Sequence, residues 1–185
     1  MASGLLLGGF GVDWAGRFDR RWSVWGPALG LLLATPLFIF GFTRDSLQMT
    51  VIVLICAHVS MFVFYSPTLA IAQNMVGANM RASSAFVMSG LVLGLAGIGL
   101  GPTLVGFLSD RFAAHAFTAF LGSCPGGRAP PGALPALGEA CRNASATGIR
   151  QALMVMALLC VWSAVHYLLA ARTLRRDLDT YYSAA

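Results

Sequence analysis

The chain has 185 residues, of which 57% are hydrophobic and only 10% charged, against about 25% charged in a soluble domain. With a mean hydropathy of +0.74, this composition is that of a membrane protein. The net charge of +5 comes from 12 basic residues, all of them Arg, against 7 acidic ones. Most of these arginines flank apolar runs instead of forming a patch interleaved with aromatics, which argues against nucleic acid as a partner. The same shortage of polar residues excludes disorder, a disulfide-rich secreted module and a water-soluble enzyme with a carboxylate-lined cleft, and leaves an all-α bundle in the lipid bilayer.

In chain order, the first apolar run is 2–12. At 1.5 Å per residue it reaches about 16 Å, roughly half of a hydrocarbon core, so it is expected to be a partial span. A signal peptide would need a basic segment before Gly4 and a small-x-small cleavage site, and neither is present. The expectation is therefore that Met1 falls inside a helix that begins in upstream sequence. Full spans are expected at 25–42, 47–72, 83–108 and 151–171, each long enough to cross about 30 Å as a helix.

Short loops rich in Arg mark the cytoplasmic side. Arg17, Arg20 and Arg21, then Arg81, then Arg172, Arg175 and Arg176 fall on one side, and Arg44 falls on the other. The C-terminus is thereby expected in the cytoplasm. The long segment 109–150 is expected to be an outside, periplasmic loop, because long loops cross largely regardless of charge. Within it Cys124 and Cys141 enclose 16 intervening residues. In an oxidising compartment a bridge between them contributes about 3 kcal/mol on the chain-entropy model, and two free thiols are the alternative. The Asn143-Ala144-Ser145 tripeptide scans as a glycosylation acceptor. In a chain without Lys and rich in Ala, Gly and Arg, a composition of GC-rich bacterial coding, it reads as a chance match.

The segment Gly8 to Arg21 joins the partial span to the first full one. Its glycines allow close approach of a helix end, Asp13 can face the positive N-terminal end of another helix, and the arginines can pair with carboxylates or lipid phosphates. Such a loop is either a conformational latch or an ordinary positive-inside connection. Within the spans, Gly26 with Gly30, Gly90 with Gly94, and Gly97 with Gly101 have the small-x-x-x-small spacing that favours helix packing in lipid. Pro36, Pro67 and Pro102 can bend their helices.

Polar residues inside a span are costly and face a cavity or a partner. His58, Tyr65 and Thr68 fall near one helical face by their spacings of seven and three, so they are candidates for a substrate or proton pathway. The competing reading of His58 is a neutral ring bonded to a backbone carbonyl. No metal site is indicated around His58, His115 or His166. Enzyme signatures are also lacking: there is no paired carboxylate in a span, no Gly-x-Ser-x-Gly, no His-Glu-x-x-His and no Lys for a phosphate loop. No cofactor is expected.

Gly9, Asp13, Gly16, Arg17, Arg20 and Arg21 follow the Gly-x-x-x-Asp-Arg-x-Gly-Arg-Arg pattern, with Trp14 in place of the basic residue after Asp13. In this the chain resembles the major facilitator superfamily. Ser66-Pro67-Thr68, Met80-Arg81-Ala82, Gly99 to Pro102 and Gly106 to Asp110 make it similar to the spinster-like branch. The resemblance implies a partial major-facilitator helical bundle comprising the end of helix 8 and helices 9 to 12, in a bacterial inner membrane. It implies transport of a small organic or amphiphilic, lipid-like solute by alternating access, with proton coupling as one option. Gly9, Asp13, Gly16, Arg17, Arg20, Arg21 and Arg81 would form cytoplasmic latches with an N-terminal half that this chain lacks. The alternative is a non-transporting chain that serves as an interaction or assembly subunit.

Overall fold

The computed structural model describes residues 2–44 and 46–184. The side chains of residue 96 and of residues 175–184 are outside that description, and with them Arg175 and Arg176 of the tail. Every regular element among the described residues is helical: α1 (residues 2–16), α2 (Trp22–Phe42), α3 (Leu47–Asn74), α4 (Ala78–Ala116), α5 (Phe120–Ser123) and α6 (Pro135–Ala184). Four of these, α2, α3, α4 and α6, are long and apolar enough to cross a bilayer, and the chain is an integral membrane protein. Two compact units divide the chain.

The first unit holds residues 1–92 and 157–185, and α2 is its central helix. Val24, Pro27, Ala28, Leu31, Ala34, Thr35, Phe38 and Gly41 of α2 are buried, and their steps of three and four place them on one face. Ala34 and Phe38 pack with Ala57 of α3 and Ala157 of α6. Thr35 is the polar member of that face; its hydroxyl points to Leu31 O at 3.1 Å and to Ala157 O at 3.4 Å, so a buried donor is satisfied within α2 and against α6.

Helix α3 changes pitch in its middle. It is α-helical over Leu47–Met61, 3-10 over Phe62–Phe64 and α-helical again over Tyr65–Asn74. The cause lies just downstream: Pro67 has no N–H to offer Val63 O, and the turn before it tightens. Glycines cover the carbonyls near this break. A Cβ added at Gly4 or Gly8 of α1 would run into Val59 O or Val63 O, and one at Gly30 of α2 would lie 2.6 Å from Ser60 O. Hydrogen in place of a side chain is what lets three helices meet at this point. α1 widens to π geometry over Leu7–Gly11, and the Leu5 carbonyl accepts the Ser66 hydroxyl at 3.1 Å.

The second unit is 93–156. In α4, π geometry over Val87–Leu100 gives way to α-helix over Gly101–Ala116 at Pro102, whose missing N–H deprives Ile98 O of its usual donor. The segment read from hydropathy as a loop over 109–150 is largely helical. α4 continues to Ala116 and α6 begins at Pro135, so the irregular connection is 117–134 with α5 and a 3-10 turn at Pro125–Gly127 inside it. Loss of apolar character ends a span but does not end a helix, because these segments keep enough small apolar residues to form a core of their own. Ala113, Phe120, Cys124, Cys141 and Ala144 form that core, and Gly148 lies against Ser109 O and Ala113. Cys124 and Cys141 are joined by a disulfide, and Ser145 donates to Gly127 O at 2.8 Å.

Candidate functional site

The end of α1 carries the candidate latch. Asp13 is exposed at the start of the last α-helical turn, Val12–Gly16. With Leu5, Leu6, Gly9, Phe10 and Ser66 it lines a half-open pocket of about 300 Å³ between α1 and α3. A Cβ at Gly9 would meet Ser66 at an ordinary 3.7 Å, whereas Gly16 has open space around it. Arg17 closes the helix through its N–H to Trp14 O, and Trp14 packs edge-to-face on Phe18 at 5.4 Å. The turn to α2 is set by Asp19, whose Oδ1 accepts the Arg21 N–H at 2.9 Å. Sequence reasoning passed over Asp19, although an Asp three residues before a helix start is a recognisable turn signal.

Arg17 and Arg20 are exposed, while Arg21 is half-buried, and its Nε is enclosed without a hydrogen-bond partner. Arg81 is exposed where the 3-10 turn Ala78–Met80 becomes α-helix. No ion pair joins Asp13, Arg17, Arg20, Arg21 or Arg81 to another described residue.

The three pathway candidates are not brought together. His58 is exposed on the α-helical part of α3 before the break. Its Nδ1 donates to Leu54 O at 2.8 Å, and its ring meets Phe38 edge-on at 5.2 Å. When the ring is neutral, that bond makes Nε2 its acceptor. Tyr65 and Thr68 follow the pitch change, and Tyr65 packs edge-to-face on Phe64. Thr68 Oγ1 donates to Phe64 O at 2.5 Å and so accepts the Tyr167 hydroxyl of α6 at 2.6 Å. No hydrogen bond or ring contact joins His58 to Tyr65 or Thr68. Tyr167 is the functional-site neighbour that sequence reasoning missed. Its signal was a single phenol in an otherwise apolar run, but nothing local specified its partner.

Gly90 and Gly101 of α4 differ from the glycines that pack. A Cβ at Gly90 would touch only the Phe86 ring of its own helix, at 3.2 Å, and one at Gly101 would touch nothing within 4 Å. Gly94 and Gly97 lie in the π-helical stretch. Close approach occurs instead at Gly4, Gly8, Gly26 and Gly30.

Neither a protein-family model nor a curated protein matches the chain. Two solved structures do. Both are of a bacterial homolog to the human lysosomal transporter Spinster, inward-facing, one unoccupied and one occupied. Each superposes with a TM-score of 0.77 at 28% sequence identity over 95% of this chain. The fold is the major-facilitator fold in its Spinster-like form. The chain spans 38% and 39% of the two matched proteins, a share consistent with a C-terminal portion of the Spinster-like bundle.

Proposed function

We propose that the chain is the C-terminal part of a secondary transporter that moves a small organic or amphiphilic, lipid-like solute by alternating access. The observation that carries this reading is the superposition of 95% of the chain on a Spinster homolog. Two six-helix halves would rock about a site near the bilayer midplane, with the N-terminal half contributed by sequence outside this chain.

In this reading Gly9, Asp13, Gly16, Arg17, Arg20 and Arg21 form one cytoplasmic latch. The carboxylate of Asp13 would engage the positive N-terminal end of a helix in the other half, where a favourable charge contributes about 0.3–1 kcal/mol. Arg81 would meet the equivalent latch from that half. His58, through Nε2, would take part in proton coupling, and Tyr65 and Thr68 would lie along the solute or proton route. The Arg-rich connections support a cytoplasmic C-terminus, and the disulfide in 117–150 supports a periplasmic hairpin in a bacterial inner membrane.

The test is uptake by the full-length protein carrying Asp13→Ala or Arg81→Ala, with the inward- and outward-facing populations followed by spin-label distances. Each variant should shift the populations and lower uptake. Unchanged uptake and unchanged populations in both would remove the latch from the account. A stable complex with no flux under any condition would turn the reading to an assembly subunit.

A further inference from the structure

Arg21 differs from the other latch arginines in how it is held. The cytoplasmic ends of three helices meet beside it: Val24 of α2 is buried with Ala171 and Leu174 of α6, and Trp25, Ile71 of α3 and Tyr167 pack around them. Arg21 lies one turn before Val24 at the rim of this junction. Its Nε is enclosed, yet the residue is half-exposed and its Nη groups are neither enclosed nor hydrogen-bonded among the described residues. The guanidinium is thus gripped by one edge and offers the other. A buried donor without an acceptor costs free energy and calls for an explanation.

The surroundings indicate what the outward Nη groups meet. Arg20 and Arg172 are exposed at the same helix ends. Asp19 is committed through Oδ1 to the Arg21 backbone N–H and makes no ion pair with the guanidinium. Trp22 and Trp25 stand edge-to-face at 6.0 Å, both half-buried, as indoles do where a helix crosses the headgroup level. A guanidinium fork with free Nη groups matches two phosphate oxygens, and a basic recess between helix ends on the cytoplasmic side suits an anionic headgroup.

We propose that the junction of α2, α3 and α6 binds the phosphodiester of an anionic phospholipid, with Arg21 as the anchoring fork, Arg20 and Arg172 as supporting charges and Trp22 against the glycerol region. The bound lipid accepts from the outward Nη groups and fixes the start of α2 at the membrane surface. This goes beyond the transport reading and needs only that the chain lies in a bilayer. Arg20 and Arg21 thereby pass from the latch set to the lipid, and Asp13 and Arg17 remain for the latch.

The experiment is native mass spectrometry of the purified full-length protein titrated with dioleoylphosphatidylglycerol or dioleoylphosphatidylcholine. Wild type should retain the anionic lipid about ten-fold better than the zwitterionic one, a preference in the range of a single charge-assisted pair. Arg21→Gln should erase the preference, and Arg21→Lys, which keeps the charge but loses the fork, should keep part of it. Arg128→Gln, in the connection 117–134, should leave it unchanged. Inorganic phosphate at millimolar concentration should not displace the lipid; displacement would make this a site for free phosphate and overturn the assignment. Equal retention of both lipids by wild type, or an undiminished preference in Arg21→Gln and Arg21→Lys, would also overturn it. Because the readout is lipid retention and not flux, failure here leaves the transport reading standing.

Discussion

Replacing Gly30 with Val tests the helix junction at the break in α3. The Cβ would lie 2.6 Å from Ser60 O and 3.1 Å from Val63 Cβ, where ordinary contact begins at 3.4 Å. α2 and α3 would have to separate by about 0.8 Å, and a backbone carbonyl cannot swing aside as a side-chain tip can. Overpacking of this kind costs about 1–3 kcal/mol, while replacing Gly by Val in a helix returns about 0.4 kcal/mol. A net loss of about 1.6 kcal/mol is expected, equivalent to a roughly 15-fold shift in the folding equilibrium. Gly138→Val is the control, since only the tip of Arg142 comes within 4 Å of its Cβ, and it should be neutral or slightly stabilising. The assay is denaturation in mixed micelles followed by circular dichroism, with the full-length protein. If Gly30→Val unfolds at the wild-type denaturant concentration, or if Gly138→Val loses as much stability, the close approach of α2 to α3 is wrong.

Tyr167→Phe and Thr68→Val should each cost about 0.6 kcal/mol, the average for a hydrogen bond between membrane helices. In a double-mutant cycle the second change should cost almost nothing after the first, and full additivity would mean that the two hydroxyls do not interact. Replacing Cys124 and Cys141 together with Ser should lower stability by about 3 kcal/mol and make wild type alone sensitive to reductant; equal melting of reduced and oxidised protein would contradict this. If His58 couples protons through Nε2, His58→Gln should abolish gradient-driven uptake while leaving solute counterflow near wild type. Equal loss of both activities would mark it as a packing residue.

The spans were legible in the sequence because hydropathy and length suffice to define a crossing helix, and the observed helices contain each expected full span. What hydropathy could not give was where helices stop. Residues 109–116 and 135–150 are too polar to cross a membrane, yet Ala113, Cys141, Ala144 and Gly148 give them an inner face, so they extend α4 and α6 as a stapled hairpin. Glycine spacing was a weaker guide, because it records the opportunity for close packing and not the presence of a partner. Gly30 meets Ser60 O, while Gly101, with the same kind of spacing, meets nothing among the described residues. The face shared by His58, Tyr65 and Thr68 assumed an unbroken α-helical pitch, and the 3-10 turn before Pro67 interrupts it. Tyr167 lies 99 residues from Thr68, and no local pattern encodes such a contact. The segment Gly9 to Arg21 was legible as a motif, but a local pattern does not encode what Asp13 and its arginines pair with.

The most direct test of the account is flux. The full-length protein containing this chain would be reconstituted into liposomes and assayed for uptake of a panel of labelled amphiphilic organic anions under an imposed proton gradient. The account predicts saturable uptake of at least one of them, competed by unlabelled solute and reduced by Asp13→Ala. Uptake no greater than in empty liposomes across the whole panel, from protein that carries the Cys124–Cys141 bond and unfolds cooperatively, would contradict it.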